Sequence, residues 1–129
     1  MTHLKKKGLT GEMLPGRIIT KAVGKDSPCI SGKMSVGFAR YCEEAGAMKP
    51  HQHAEETIYV VASDRAYVRK GSEENEMGER VPLEAGDILH FSELEWHVFE
   101  YEPGGMLEIL FIYGQVDNIR PEEILHAKI

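Results

Sequence analysis

Residues 46–63 read GAMKPHQHAEETIYVVAS and join a group of metal-binding residue types to an apolar strand. His51 and His53 lie two positions apart, Glu56 follows, and the residues after it are β-branched or aromatic. Because side chains two apart in a strand point to the same face, both histidines can meet one ion. Glu56 lies three positions further on, so we expect a bulge or turn at the Ala54–Glu55 step.

A third histidine, His97, follows Glu56 at a distance of 41 positions, after an Ala85-Gly86-Asp87 turn. Three imidazoles and one carboxylate form a natural set of ligands for a divalent transition metal. Structural zinc sites are typically closed and rich in sulfur, and no cysteine lies near these residues. The pattern therefore predicts an open metal site that also binds a small molecule.

The rest of the chain predicts an all-β fold. Short runs rich in valine, isoleucine, tyrosine and phenylalanine are predicted as strands, and they are residues 17–23, 35–41, 57–61, 66–69, 87–91, 96–101 and 107–113. Turn-forming clusters separate them, which is typical of a sandwich or a barrel. One short helix is predicted at the C-terminus, with Asp117 or Asn118 as its cap and Pro121 in its first turn.

Composition excludes several classes of protein. A chain of 129 residues with 42% apolar residues is expected to form one domain, residues 1–129. The formal net charge of −6 argues against a nucleic-acid partner, which requires a basic surface. No apolar run approaches the roughly 18 residues that a membrane span requires. The start, MTHLKKKGLTGE, has no apolar segment of the kind that a signal peptide needs, so we expect a cytoplasmic protein.

Two stretches resemble the two motifs of the cupin superfamily. Residues 46–63 are similar to the first, and residues 83–97, LEAGDILHFSELEWH, are similar to the second. The resemblance covers about residues 35–113 and implies a double-stranded β-helix, or jelly-roll, barrel. It also implies that the metal ligands are His51, His53, Glu56 and His97.

The chain departs from the motifs at Glu84 and Ser92, where prolines are usual, and at two further points nearer the first motif. The glutamate stands one residue closer to His53 than is commonest, so Glu55 is the alternative ligand, although the spacing to the end of the next strand favours Glu56. Ser63 occupies the position of the usual glycine, so a hairpin at residues 62–65 is expected to differ from the family pattern.

The resemblance implies a function class and a cofactor. One divalent ion of iron, manganese, nickel, cobalt, copper or zinc is expected, and the ligand set does not choose among them. The leading interpretation is a metal-dependent enzyme, a dioxygenase or an isomerase/lyase, that acts on a small polar metabolite. The alternative is a non-catalytic binding or sensor module for a small carboxylate, a sugar or a metal ion. No catalytic residue other than the ligands is assigned.

Five further residues are candidates for the substrate pocket. Arg40 can hold a carboxylate through two parallel hydrogen bonds, with Phe38 on the same face, although an arginine facing solvent is the competing interpretation. Phe99 and Tyr101 share the face of His97, and Tyr59 is a possible general base.

A homodimer is also expected, because small one-barrel cupins often pack or exchange sheets between subunits. The apolar residues Ile18, Ile19 and Val23 of the predicted N-terminal strand are compatible with such an interface, and equally with a sheet inside one chain.

Overall fold

A computed structural model describes residues 1–116, and their regular structure is almost entirely β. The strands, numbered in chain order, are β1 Glu12–Leu14, β2 Arg17–Gly24, β3 Cys29–Ile30, β4 Ser35–Cys42, β5 Glu56–Glu73, β6 Glu76–Met77, β7 Val81–Pro82, β8 Ile88–Phe91 and β9 Trp96–Tyr113. Single turns of 3-10 helix lie at Lys6–Gly8 and Glu43–Ala45. The helix predicted after Asp117 lies outside the described residues.

The sheet is built around β5 and β9, which are 18 residues long each and pair from Glu56 opposite Tyr113 to Gly71 opposite Trp96, with residues 102–105 of β9 outside the ladder. Hydrogen bonding runs in the order β1-β2-β4-β9-β5-β6, and β7 and β8 also pair with β5. The β5–β9 ladder shifts register between Val60 and Ala62 and again between Asp64 and Ala66. Such bulges bend a sheet. The ladder therefore curves round, so that its two halves belong to different sides of one barrel.

The bend replaces two turns that the sequence pattern predicted. A hairpin at residues 62–65 and a turn at residues 103–105 were expected to end strands, but β5 and β9 continue through both positions. Arg65 (φ 52°) and Gly104 (φ 82°) take up the change of direction in left-handed backbone conformations. The pairing lapses at residues 102–105 of β9 and resumes on both sides of the bend, so neither strand ends there, and the predicted hairpin is wrong in this detail.

A backbone bridge closes the barrel. His51 N–H donates to the carbonyl oxygen of His97 at 3.0 Å, and His97 N–H donates to that of His51 at 2.9 Å. His51 lies just before the start of β5, whereas His97 pairs with Lys70 near the other end of β5. The bridge therefore joins the two ends of the bent ladder.

The inner face of the barrel follows strand alternation. On β9 the residues Leu107, Ile109, Phe111 and Tyr113 are all buried. Gly37 of β4 is required by this packing, because a Cβ there would lie 2.7 Å from Cζ of Phe111. The small residue thus makes room for a large ring on the neighbouring strand.

The N-terminal strand belongs to the same sheet. β2 pairs with β4 in antiparallel register, with Ile19 opposite Ala39, so the sheet begins well before residue 35. The described part of the chain has no helix with the length and apolarity that a membrane crossing requires.

Candidate metal centre

Four buried polar side chains lie together at one end of the barrel. His51, His53, Glu56 and His97 are 5%, 6%, 4% and 1% exposed. His51 and His97 are held by the bridge, and the carbonyl oxygen of His53 accepts a hydrogen bond from Leu94 N–H at 2.8 Å. Glu56 is the first residue of β5, directly after a non-strand step at residues 52–55. The expected irregularity between the histidines and the glutamate is therefore present.

The side chains converge on one point. One ring nitrogen from each of the three histidines lies within 4.8 Å of the others. Glu56 Oε1 lies 3.5 Å from Nε2 of His53 and 3.9 Å from Nε2 of His97. This spacing is short enough for one ion to contact all of them.

Each imidazole is oriented by the backbone. Nδ1 of His51 lies 3.1 Å from the carbonyl oxygen of Lys49, and Nδ1 of His53 lies 2.8 Å from that of Ala54. Nδ1 of His97 lies 2.8 Å from the carbonyl oxygen of Glu95. A carbonyl oxygen only accepts hydrogen bonds, so Nδ1 carries the proton in all three rings, and Nε2 presents its lone pair. Metal-binding histidines are held in the same way.

Glu56 supplies the negative charge of the cluster. Burial raises the pKa of its carboxyl group from the ordinary value of 4.5 to about 7, and a hydrogen bond with the Tyr113 side chain partly offsets this rise. A divalent cation beside the carboxylate would favour the ionised form. Three neutral imidazoles and one carboxylate therefore fit a divalent transition metal ion in both charge and donor type.

The structure also separates the two adjacent glutamates. Glu55 is exposed, and its Oε2 lies 2.8 Å from Nε2 of His90 on the outer surface. Thr57 Oγ1 lies 2.9 Å from Nδ1 of the same histidine. Successive residues here point to opposite sides of the sheet, so only Glu56 joins the three histidines.

A cavity of about 390 Å³ opens onto the cluster. Side chains from β1, β2, β4, β5 and β9 and from the segments between strands line it, and they include Leu14, Arg17, Ile19, Lys21, Val23, Lys25, Asp26, Val36, Ala39, Tyr41, Met48, His51, His53, Glu56, Phe111 and Tyr113. The volume is within the range of pockets that bind small molecules.

The residues predicted for the substrate pocket do not line this cavity. Phe38 and Arg40 alternate with Ala39 and Tyr41, which do line it, and therefore lie on the outer face, where Lys6 Nζ is 5.2 Å from the Phe38 ring centroid. Of the two interpretations of Arg40, this arrangement supports the arginine that faces solvent, with Phe38 on the same face; alternation alone, without a fixed reference point, could not choose between them.

The other three candidates also lie away from the cavity, each in a different environment. Tyr59 is 46% exposed on the outside of β5. Phe99 is 2% exposed and packs in the core, with its ring centroid 4.9 Å from that of Tyr41. Tyr101 packs against the same core, and its hydroxyl group donates to the carbonyl oxygen of Gly46 at 3.4 Å.

Sequence reasoning missed several residues of the site. Tyr113 contacts Glu56 through its side chain, and its ring centroid lies 5.4 Å from that of His53. It stands at the end of the alternating buried series on β9, which is a signal present in the sequence. Arg17 and Lys21 had no such signal, because inward basic residues on a strand become recognisable only once the cavity is known.

Replacement of Glu56 by glutamine is expected to change how stability depends on pH in the metal-free protein. The folded state binds the Glu56 proton more tightly than the unfolded chain does, so protonation of Glu56 adds to the free energy of unfolding. This added stability is fully present below about pH 4.5 and is lost as the pH rises through about 7. The amide does not ionise. The free energy of unfolding of Glu56→Gln, relative to wild type, should therefore rise by about 2–3 kcal/mol between about pH 5 and pH 8.

Urea unfolding in the presence of a chelator at several pH values measures this difference. Histidines that are distant from residue 56 titrate alike in both proteins and cancel in the comparison, whereas the protonation of His53 and His97, which contact Glu56, is followed separately by NMR. A difference that stays constant with pH would show that Glu56 ionises in the folded protein as it does in water.

Comparisons with known proteins identify the fold. No protein-family model matches the chain, and no curated protein matches it by sequence. Among solved structures, the polyketide cyclase RemF from Streptomyces resistomycificus is similar, with a TM-score of 0.69 and 15% identity over 100% of this chain and 94% of that chain.

Two further structures extend the comparison. The oxalate decarboxylase of Lactobacillus farciminis, solved as a formate complex, has a TM-score of 0.66 and 17% identity over 94% of this chain, which spans only 36% of that chain. Fe(II)-HppE has a TM-score of 0.60 and 13% identity over 88% of this chain and 60% of that chain. At such identities the likeness concerns the fold alone, and the fold is the cupin double-stranded β-helix.

Proposed function

We propose that the chain is a metal-dependent enzyme of cupin type that acts on a small molecule, with His51, His53, Glu56 and His97 as the ligands of one divalent transition metal ion. One observation carries the proposal: three buried imidazoles, each with Nδ1 bound to a backbone carbonyl, meet a buried carboxylate at the end of a cavity. A group of this kind is costly to bury unless a ligand uses it.

A bound divalent ion would supply Lewis-acid or redox chemistry at this position. The chain's own residues prepare the surroundings. Phe91 stacks on His97, with ring centroids 3.9 Å apart and planes inclined by 12°, and shields that ring from water. The Tyr113 side chain bonds to Glu56 and favours its ionised form. Phe91 thus excludes water beside one imidazole, and Tyr113 partly offsets the rise in the Glu56 pKa that burial causes.

The reaction class that we propose is oxygenation, or isomerisation and lyase chemistry, on a small polar metabolite. The similar structures support a metal-dependent role, since one is an oxalate decarboxylase and another contains Fe(II). A fold supports many reactions, so the choice among these must come from the metal and the substrate.

Elemental analysis tests the metal site first. Protein purified without a chelator or a polyhistidine tag is expected to contain about one transition metal ion per chain, because four ligand side chains are in place. Wild-type protein that stays empty after anaerobic reconstitution with Fe(II), Mn(II), Ni(II), Co(II), Cu(II) and Zn(II) would contradict the proposal.

A turnover assay then distinguishes an enzyme from a non-catalytic sensor module. The metal-loaded protein is incubated with a library of small metabolites, and dioxygen uptake and product masses are measured beside a chelator-treated sample. Metal-dependent conversion supports the enzyme. Metal-dependent binding without conversion of the bound compound supports the non-catalytic module.

A further inference from the structure

One wall of the cavity carries basic side chains. Arg17 and Lys21 lie on the face of β2 that lines the cavity, and Lys25 lines it from the turn that follows the strand. Ile19 and Val23 lie on the same face of β2, interspersed with Arg17 and Lys21. In the sheet, β4 and β9 separate β2 from β5, so this wall is distinct from the strand that Glu56 begins.

The sign of this charge is opposite to that of the whole chain. The protein has 15 basic and 21 acidic residues. Among the described residues that line the cavity, however, three are basic and two are acidic, Asp26 and the Glu56 of the candidate metal centre. Basic side chains on a concave wall raise the local concentration of anions. The described part of the cavity is therefore richer in basic than in acidic side chains, although the chain as a whole is acidic.

Arg17 is held in place by local structure. It follows the Pro15-Gly16 turn of the β1–β2 hairpin, and its Nη1 donates to the carbonyl oxygen of Pro15 at 3.0 Å. Gly16 has φ 87° and donates its N–H to the carbonyl oxygen of Ala45 at 2.8 Å. A Cβ on Gly16 would lie 3.2 Å from Cα of Met48, so the hairpin packs against the segment that leads to His51. This contact fixes the guanidinium beside the same cavity as the histidines.

Much of the remaining lining is apolar, beside Ser27 and Ser35. The hydrocarbon and thioether side chains that line the same cavity are Leu14, Ile19, Val23, Val36, Met48 and Phe111. Apolar walls with a few placed polar groups are typical of sites for organic ligands. A small inorganic anion would leave these side chains without a contact.

We propose that the substrate is an organic anion, with a carboxylate or phosphoryl group held by Arg17 and Lys21 and an apolar body that extends toward the histidines. Lys25 attracts the same group at the entrance. The inference rests on the proposed function, since it takes the cavity beside the metal centre as the substrate site. Arginine and lysine suit both anion types, because their N–H groups form charge-assisted hydrogen bonds to either.

Calorimetric titration with matched probes tests the proposal. Benzoate and phenylphosphonate carry the two anionic groups on one apolar body, and benzamide is the neutral counterpart. We expect at least one anion to bind the metal-loaded protein about tenfold or more tightly than benzamide, with an affinity that falls as salt is added. The tighter anion identifies the carboxylate or the phosphoryl group as the preferred one.

The Arg17→Gln, Lys21→Gln variant assigns the effect to β2. We expect it to lower the affinity for the anion about tenfold or more, and to leave benzamide binding and metal content unchanged. Arg17→Lys keeps the charge and should retain part of the anion affinity that the double variant loses. This result would show that the loss comes from the charge and not from a change in folding. Arg40→Gln is the matched control, because it removes a cation from the outer face of the same sheet, and it should bind as wild type does.

Three results would overturn the proposal. They are equal affinity for anion and amide, no binding of either anion, and unchanged anion affinity in the Arg17→Gln, Lys21→Gln variant. Metal content is measured separately, and the titrations are repeated on chelator-treated protein. A chain that binds no metal but still loses anion affinity in that variant would sink the proposed enzyme and support the anion site.

Discussion

The double variant His51→Ala, His97→Ala should keep its barrel and lose its metal. Alanine preserves the two backbone hydrogen bonds that join these positions, so the closure of the sheet is retained. The variant removes two of the four proposed ligands. Loss of a group that merely orients a metal ligand costs about 10–100-fold in metal affinity, so loss of two ligands should cost more than about 100-fold. Elemental analysis and metal titration, with circular dichroism to check folding, measure both outcomes.

The matched control is His90→Ala. His90 lies on the outer surface and contacts Glu55 and Thr57 rather than the cluster. This variant should bind metal as wild type does, and any turnover found in the wild type should persist. Metal bound at full strength by the double variant, or lost in His90→Ala, would place the metal site elsewhere.

Replacement of Phe99 by alanine should lower the free energy of unfolding and should not act by removing a contact with the substrate. The side chain is 2% exposed and belongs to the core cluster with Tyr41 and Phe91. Truncation removes buried apolar contacts and leaves a cavity, which for phenylalanine costs about 3–5 kcal/mol. Urea unfolding of metal-free protein measures the loss.

Tyr59→Ala provides the comparison. Tyr59 is also aromatic but is 46% exposed on the outer face of β5. Its removal should lower the free energy of unfolding by less than about 1 kcal/mol. If the two variants lost similar stability, the assignment of Phe99 to the core and of Tyr59 to the surface would be wrong.

The metal cluster was largely predictable because its signals are local. His51 and His53 stand two apart, and their shared face follows from strand geometry alone. The residue pattern also singled out Glu56 and His97, the resemblance to cupins implied all four as ligands, and the fold brings the four side chains together. What remained open was the choice between Glu55 and Glu56, since an irregular step separates both from the histidines.

The pocket was not predictable for a physical reason. On β4 the small residues Gly37 and Ala39 face inward, and the larger Phe38 and Arg40 face outward. From the sequence alone Phe38 is expected to face inward, because large apolar residues usually fill a barrel. Here Phe111 fills the space over Gly37, so the inner face of one strand depends on a partner more than 70 positions away.

The length of β5 and β9 was not predictable for a similar reason, because it depends on the pairing of each strand with the other. The predicted breaks at residues 62–65 and 103–105 contain turn-forming residues, and each is a plausible end when taken alone. Only the pairing of β5 with β9 shows that both bend at the same place and continue. Bends shared by two strands are a property of the pair and leave no clear trace in either segment.

If a metal ion binds at the proposed site, the bridge between His51 and His97 makes its binding part of the thermodynamics of folding. The two residues are far apart in the sequence and meet only when the bent ladder closes, so the unfolded chain offers no preformed site. A ligand that binds only the native state stabilises it by mass action, by about 4 kcal/mol when its free concentration is 1,000 times its dissociation constant. The supply of metal in the surroundings would thereby set how much of this protein stays folded.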